Sequence, residues 1–336
     1  MSDIITLAHG SGGKLTHGLI KDLFHKHLNN GLLMEAGDSA VFGVEKGRMA
    51  FTTDSYVISP IFFRGGDIGK LAVCGTVNDL AVCGANPRYL SCGFIIEEGF
   101  KISDLEAVVQ SMAQAANEAG VYIVTGDTKI VQKGCADKLF INTSGVGIVP
   151  DGVSLSTQKI RPGDKVIISG TMGDHGTAIL LERENFSVKS NIVSDCAPLN
   201  SMIKTVMTDY SQYIRIMRDP TRGGVATTLN ELAAGNQFGI RLFEDRLPVK
   251  DEVKGICEML GMDPLYMANE GKVITIVDGS QAERVVNTIR EHPYGKDAAI
   301  IGEVDDVFKG KVHINTIAGG NRIIDMLVGD QLPRIC

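Results

Sequence analysis

No stretch of this chain approaches eighteen uninterrupted apolar residues, and the opening MSDIITLAHG has no basic segment leading into an apolar one. Neither a membrane span nor an export signal is expected. The seven cysteines, at 74, 83, 92, 135, 196, 257 and 336, contain no C-x-x-C pair, and their odd number leaves one over in any disulfide scheme. Reduced thiols and a cytoplasmic location are the expectation. No basic run marks a phosphate-tracking surface: 33 Lys and Arg face 40 Asp and Glu, for a net charge of -7, so nucleic acid is not an expected partner. Low-complexity tracts and short repeats are also missing. What is left is a soluble globular composition, 44% hydrophobic over 336 residues, enough for two domains with their own cores.

Apolar strand-like runs alternate with helical patterns. MAFTTDSYVI from residue 49 reads as a strand, the segment from Gly65 to Ala85 as a helix, and RYLSCGFII as a strand. The next helix is expected to open on a capping box, Ser103 with Glu106, and to run to Gly120. VYIVTGD and LFINTSGVGIV read as strands, and the turn-rich PDGVSLSTQKIRPGD places a domain boundary near residues 150 to 160. Beyond it follow a strand KVIISG, a helix from Asp174, another near LNSMIKTVMTDY and a glycine-opened helix GGVATTLNELAAG. Strands GKVITIV, AAIIGEV and KVHINTI complete the pattern, with a helix at SQAERVVNTIREH. The expected fold class is α/β with mixed sheets (α+β) in two domains. Residues 1–36 form a glycine-rich arm and helix, 37–152 the first domain, 153–328 the second, and 329–336 a mobile tail.

AHGSGGKLT invites comparison with a phosphate-binding P-loop, but Ala8 stands where the first glycine belongs and Leu15 where the hydroxyl belongs. Gly12, Gly13 and Lys14 can still offer amides and a helix start to an anion, or form a flexible arm. Four acids, Asp38, Asp54, Asp79 and Asp127, fall where a strand or helix is expected to end. Convergent carboxylates suit Mg²⁺ shared with nucleotide phosphates; each acid also suits a turn or a helix cap.

GDSAV, TTDSYVISP, NDLAVCGANP and GDTK, then GDHG at 173–176, DPTRGGV at 219–225, ANEGK at 268–272 and the final PRIC, together resemble an ATP-binding superfamily. Its members include aminoimidazole ribonucleotide synthetase, selenophosphate synthetase and thiamine monophosphate kinase. Within it the chain most resembles the HypE family of hydrogenase maturation factors, over nearly its whole length. The resemblance implies the two-domain architecture of aminoimidazole ribonucleotide synthetase, a homodimer paired through N-terminal domains, and ATP with Mg²⁺ as cofactors. It implies nucleotide contacts at Gly12, Gly13, Lys14, Asp38, Asp54, Asn78, Asp79 and Asp127, with the four aspartates as metal ligands. It also implies catalytic roles for Cys336, Glu270 and Lys129. In that family the terminal cysteine takes a carbamoyl group from HypF, and ATP-driven dehydration makes a thiocyanate. The cyanide then passes through a HypC–HypD complex to the iron of a nickel-iron hydrogenase.

The tail's chemistry is compatible with such a carrier. Seven residues follow Gly329, a reach of roughly 24 Å when extended. Pro333 discourages a continuing helix, and a cysteine in last position cannot be a prenylation signal. Without the resemblance, Cys336 reads as an incidental thiol in a frayed end. Its own α-carboxylate disfavours the thiolate, with Arg334 opposing, so activation is expected from elsewhere. Burial would raise the Glu270 carboxyl and suit it to take a proton, and Lys129 would act as base or electrostatic clamp. Two rival readings stand beside this one. A selenophosphate synthetase usually carries its reactive Cys or selenocysteine near the N-terminal glycine loop, where AHGSGGK has none. A carrier without enzymatic activity would not turn over ATP.

Overall fold

A computed structural model describes residues 3–34, 39–43, 46–183, 190–327 and 329. The first half opens with α1 (Lys14–Leu19), continued by a π turn to His25, and α2 (Gly31–Met34). It continues through β1 (Arg48–Tyr56), a hairpin of β2 (Phe62–Phe63) and β3 (Gly66–Asp67), α3 (Ile68–Val82), β4 (Asn86–Glu97), α4 (Ile102–Ala119), β5 (Tyr122–Val131) and β6 (Leu139–Val149). The main sheet has the order β1-β6-β4-β5. Only the β4–β5 pair is parallel, and α4 supplies the crossover such a pair needs.

Helix α4 buries Leu105, Val108, Val109, Met112, Ala115, Ala116 and Ala119, a three-and-four spacing that gives one apolar face, and it stops at Gly120 in the left-handed conformation. The expected capping box does not form. Lys101 is the N-cap without a side-chain bond, and Ser103 Oγ turns to Asp104 at 3.3 Å. Glu106 instead accepts from Lys26 and His27 at 2.6 and 3.0 Å. Partners arriving from the chain just after the first helix outcompete a local cap.

The second half runs β7 (Lys165–Ile168), α5 (Asp174–Arg183), α6 (Asn200–Tyr210), β8 (Ile214–Arg218), α7 (Gly224–Ala233), β9 (Gly239–Phe243), α8 (Asp251–Leu260), β10 (Ile274–Val277), α9 (Ala282–Arg290), β11 (Ala299–Asp305), β12 (Val312–Asn315) and β13 (Asn321–Ile324). Its seven-stranded sheet has the order β13-β12-β9-β11-β7-β10-β8, antiparallel except between β12 and β9. The mixed α/β, two-domain expectation holds.

Helix α3 joins the halves. Ile68, Leu71, Val73, Cys74 and Val77 lie in the first core beside Ile179, Cys196 and Ala268 of the second half. At its far end Ala81 and Val82 enter a core with Leu199, Met202 and Ile203. Apolar residues of both halves therefore pack along most of the helix. The six described cysteines are free; Cys74, Cys92, Cys196 and Cys257 are buried, as expected of packing residues, while Cys83 and Cys135 are exposed. Among the described residues no helix is long and apolar enough to cross a membrane.

Candidate active site

The site grows from α3. Asp67 caps its start, accepting from the Gly69 and Lys70 amides at 2.7 and 3.1 Å. At its last turn Asn78 is buried with every polar atom engaged. Its Nδ2 donates to Ala197 O and Glu270 O at 3.1 and 3.2 Å, and its Oδ1 accepts from the Leu199 amide at 2.8 Å. Asn78 thus clamps the second half onto α3. Asn269 does the same for three motifs. It accepts from the Gly173 amide at 2.8 Å and donates to Pro220 O at 3.0 Å, which draws GDHG, DPTRGGV and ANEGK together.

These clamps enclose a cavity of about 240 Å³ between the halves, lined by Asp54, Ser55, Tyr56, Gly75, Asp79, Asp219, Thr221, Arg222 and Glu270. Asp54 and Asp79 were expected at the ends of elements; Asp54 lies inside β1 and Asp79 in the last turn of α3. Thr52 Oγ1 donates to Asp79 at 2.8 Å, and the Tyr56 hydroxyl donates to Asp54 at 3.2 Å. Tyr56 lies so close across α3 that a Cβ at Gly75 would sit 2.2 Å from its hydroxyl oxygen.

Crowding acids in a poorly solvated space favours their neutral forms. Asp79 is pushed up to about 7, by burial first and then by Asp219 and Asp54. Asp219 is pushed up to about 6 by burial, with Asp54 adding to it. Glu270, 3% exposed, rises well above the carboxylate range through burial, then Cys196, Asp195, Asp219 and Asp54. Its Oε1 is buried without a hydrogen-bond partner.

Asp127 and Lys129 lie elsewhere. Across the sheet, Asp54 pairs with Thr143, Thr143 with Cys92, and Gly93 with Asp127. Side-chain alternation then puts Asp127 on the opposite face, about 14 Å away by three strand spacings. It borders a larger cavity of about 590 Å³ beneath the first helix, with Thr16, His17, Lys21 and Thr128. Lys129 Nζ pairs with Asp127 at 2.9 Å, both side chains exposed, and holds that carboxyl below its usual range. Gly12, Gly13 and Lys14 are exposed just before and at the start of α1. The described residues therefore bring Asp54, Asp79 and Glu270 together and leave Asp127 and Lys129 apart. Asp38 and Cys336 lie outside the described residues.

Among the described residues no three His, Cys, Asp or Glu side chains are arranged to hold a metal ion by themselves. The donors do suit Mg²⁺, which takes one or two carboxylates and completes its shell from phosphate and water. Mutually repelling acids at Asp54, Asp79 and Asp219 are the chemistry a divalent cation relieves.

Asp219, Tyr56 and Arg222 were not singled out from the sequence. Asp219 carries the same signal as the other acids, a carboxylate directly after an alternating stretch, IRIMR, but that stretch was not read as a strand.

Comparison with known proteins places this geometry in a class. Residues 36–149 match the N-terminal domain, and 161–315 the C-terminal domain, of the AIR synthase related proteins. The chain is 52% identical to the carbamoyl dehydratase HypE of Bradyrhizobium diazoefficiens, over 99% of this chain and 96% of that protein. The crystal structure of a hydrogenase maturation protein HypE in complex with ATP superposes with a TM-score of 0.94 at 48% identity, covering 98% of this chain and 99% of that one. A HypE chain from a HypE–HypF complex gives 0.81 at 49%, covering 92% and 99%. The chain belongs to the HypE carbamoyl dehydratase family of hydrogenase maturation proteins.

Proposed function

We propose that the protein dehydrates an S-carbamoyl group on Cys336 to a thiocyanate at the expense of ATP, supplying the cyanide ligands of a nickel-iron hydrogenase. The observation that carries this reading is Glu270: a buried carboxyl, its Oε1 without a hydrogen-bond partner, lining a cavity already crowded with acids. Family membership and the ATP complex of a relative support the nucleotide.

The carbamoyl oxygen is a poor leaving group, so it attacks the γ-phosphorus of ATP and releases ADP. The resulting S–C(=NH₂⁺)–O–phosphate loses two protons from nitrogen and expels phosphate, leaving S–C≡N. The water oxygen of the net dehydration thus departs in phosphate. Glu270 is the proton acceptor, and its burial raises its basicity. Asn78 serves by holding the Glu270 peptide. Asp54 and Asp79, with Asp219, would hold Mg²⁺, which supplies charge neutralisation for the transferring phosphoryl group. The larger cavity, lined by Asp127 and by Thr16 and His17 of the first helix, suits the rest of the nucleotide, with further contacts proposed from Gly12, Gly13, Lys14 and Asp38. Lys129 is the electrostatic clamp on that side.

The same reading assigns 37–152 as the nucleotide-binding and dimerising unit, 153–328 as the second domain and 329–336 as the arm, in a cytoplasmic protein. The outer face of the first sheet exposes Met49, Phe51, Ile95 and Tyr122, an apolar surface suited to a homodimer. HypF is the carbamoyl donor, in keeping with the complex formed by a relative, and HypC–HypD the acceptor of cyanide.

Intact-protein mass spectrometry with peptide mapping tests this. A carbamoyl mass on the terminal peptide should lose one water only when Mg-ATP is present. Modification confined to another cysteine, or water loss without ATP, overturns it.

A further inference from the structure

The last strand, β13, is four residues at the edge of the seven-stranded sheet, bonded on one side to β12 and exposed except at Ile324. A terminal strand held along one edge is where fraying begins. Side chains from two other elements nevertheless fasten this one residue by residue. Asp263 Oδ2 lies 3.0 Å from Arg322 Nη2. Buried Asn230 on α7 donates through Nδ2 to Ile324 O at 2.9 Å, and the Tyr266 hydroxyl donates to Asp325 O at 2.8 Å.

The same two elements carry one wall of the acidic cavity. Tyr266 stands four residues before Glu270, no more than about 14 Å along the backbone. Helix α7 begins just after Asp219, Thr221 and Arg222, which line the cavity with Glu270. Gly224 at its start, with φ +61°, is pressed so closely on the 265–267 turn that a Cβ would fall 2.5 Å from Met267 O. The Asn269 bond to Pro220 O ties the two segments again. The root of the arm and that wall of the cavity are therefore fastened to each other.

Cys336 is eleven residues beyond Asp325. Such a tether measures about 36 to 40 Å at full stretch and about 17 to 20 Å as a flexible coil, a length comparable with the span from root to cavity. Effective concentration is greatest when tether and span match. Resting on the function proposed above, we infer that the arm is moored to deliver Cys336 into the cavity of its own chain and not into a partner's, with Tyr266 as the positioning residue of the mooring. In the dimer proposed above, the chains pair through the outer face of the first sheet, whereas Asp54 and Asp79 stand on its inner face. A partner's cavity then lies beyond two sheets, themselves about 10 Å apart.

Two chains with complementary defects test this. One keeps its arm and carries Glu270→Gln with Asp79→Asn; the other keeps its cavity and carries Cys336→Ala. They are co-expressed under different tags, purified through both, loaded by HypF and given Mg-ATP, and the terminal peptide bearing Cys336 is weighed. Delivery in cis leaves its carbamoyl group intact; loss of one water in the mixed species overturns the inference. Chains that fail to pair leave no other cavity within reach. The wild-type chain alone must lose water and the doubly changed chain alone must not; if either control fails, the proposed function falls and the inference with it, a result distinct from complementation. Loosening the root gives a second reading. Tyr266→Phe with Arg322→Ala frees up to 21 residues beyond Asn315 in place of 11 beyond Asp325, and by the three-halves power of tether length should slow single-turnover water loss about 2- to 3-fold. A merely structural role would lower the melting temperature and leave this rate alone, so a wild-type rate well below melting overturns the mooring.

Discussion

Two carboxylate neighbourhoods share one four-stranded sheet and have opposite electrostatics. On the inner face, Asp79 is lifted to about 7 and Glu270 is raised well beyond the carboxylate range, because acids meet acids in a space the second half closes off. On the outer face, Asp127 is held down by Lys129 in water. The inner set is a destabilised arrangement that a cation or a proton improves. The outer pair is already neutralised. Similar short motifs, TTD, ND and GDT, supply both sets, so burial rather than sequence decides which acids store unfavourable charge.

The difference is open to attack in order of effect. Glu270→Gln should slow water loss from the carbamoylated protein by about 10² to 10⁴ while leaving the loading of Cys336 intact, measured by single-turnover mass spectrometry. If Lys129→Met matches that loss and Glu270→Gln does not show it, the chemistry belongs to the outer face. Gly75→Ala probes how tightly the inner wall is built. With a Cβ 2.2 Å from the Tyr56 hydroxyl oxygen, it should lose about 1 to 3 kcal/mol in urea denaturation, and a wild-type midpoint would show slack in that wall.

Asp79→Asn sharpens the electrostatic contrast. The folded-state value of Asp79, about 7, lies above its unfolded value of about 3.9. Its contribution to stability is therefore complete below the unfolded value and lost as pH rises through about 7. Nucleotide-free Asp79→Asn should match wild type near the acid end and melt higher at pH 8, by about 1 to 2 kcal/mol, with weaker binding of Mg-ATP. Parallel melting curves across that range would refute the crowding. Asp127→Asn should change thermal stability by only about 0 to 1 kcal/mol, since an exposed pair is well screened. A larger loss by scanning calorimetry would mean the outer pair is not solvated as described.

Much of this was legible beforehand. The strand over LFINTSGVGIV matches β6 (Leu139–Val149), and Gly120 closes α4. These segments carry their own period and their own stop signals. β8 and β9 were not read, because five-residue runs interrupted by arginine become strands only by pairing with distant partners: β8 with β10, and β9 with β11 and β12. Glu270 was legible as a candidate from its motif. Asp195, whose Oδ1 accepts from the Glu270 amide, was not, since the 190–199 segment forms no regular element before α6 and meets Glu270 only where the 269–272 loop folds over it.

Helix α3 bears on how the cavity can be reached. Its flanks are sealed by both halves, from Ile68 and Leu71 against the first core to Ala81 and Val82 against the second. Hinging the halves apart would wet that apolar surface, at about 25 cal/mol for each square ångström exposed. The protein is consequently built to be threaded and not to be opened: whatever reacts beside Glu270 must come in through the mouth of a vessel whose walls stay closed.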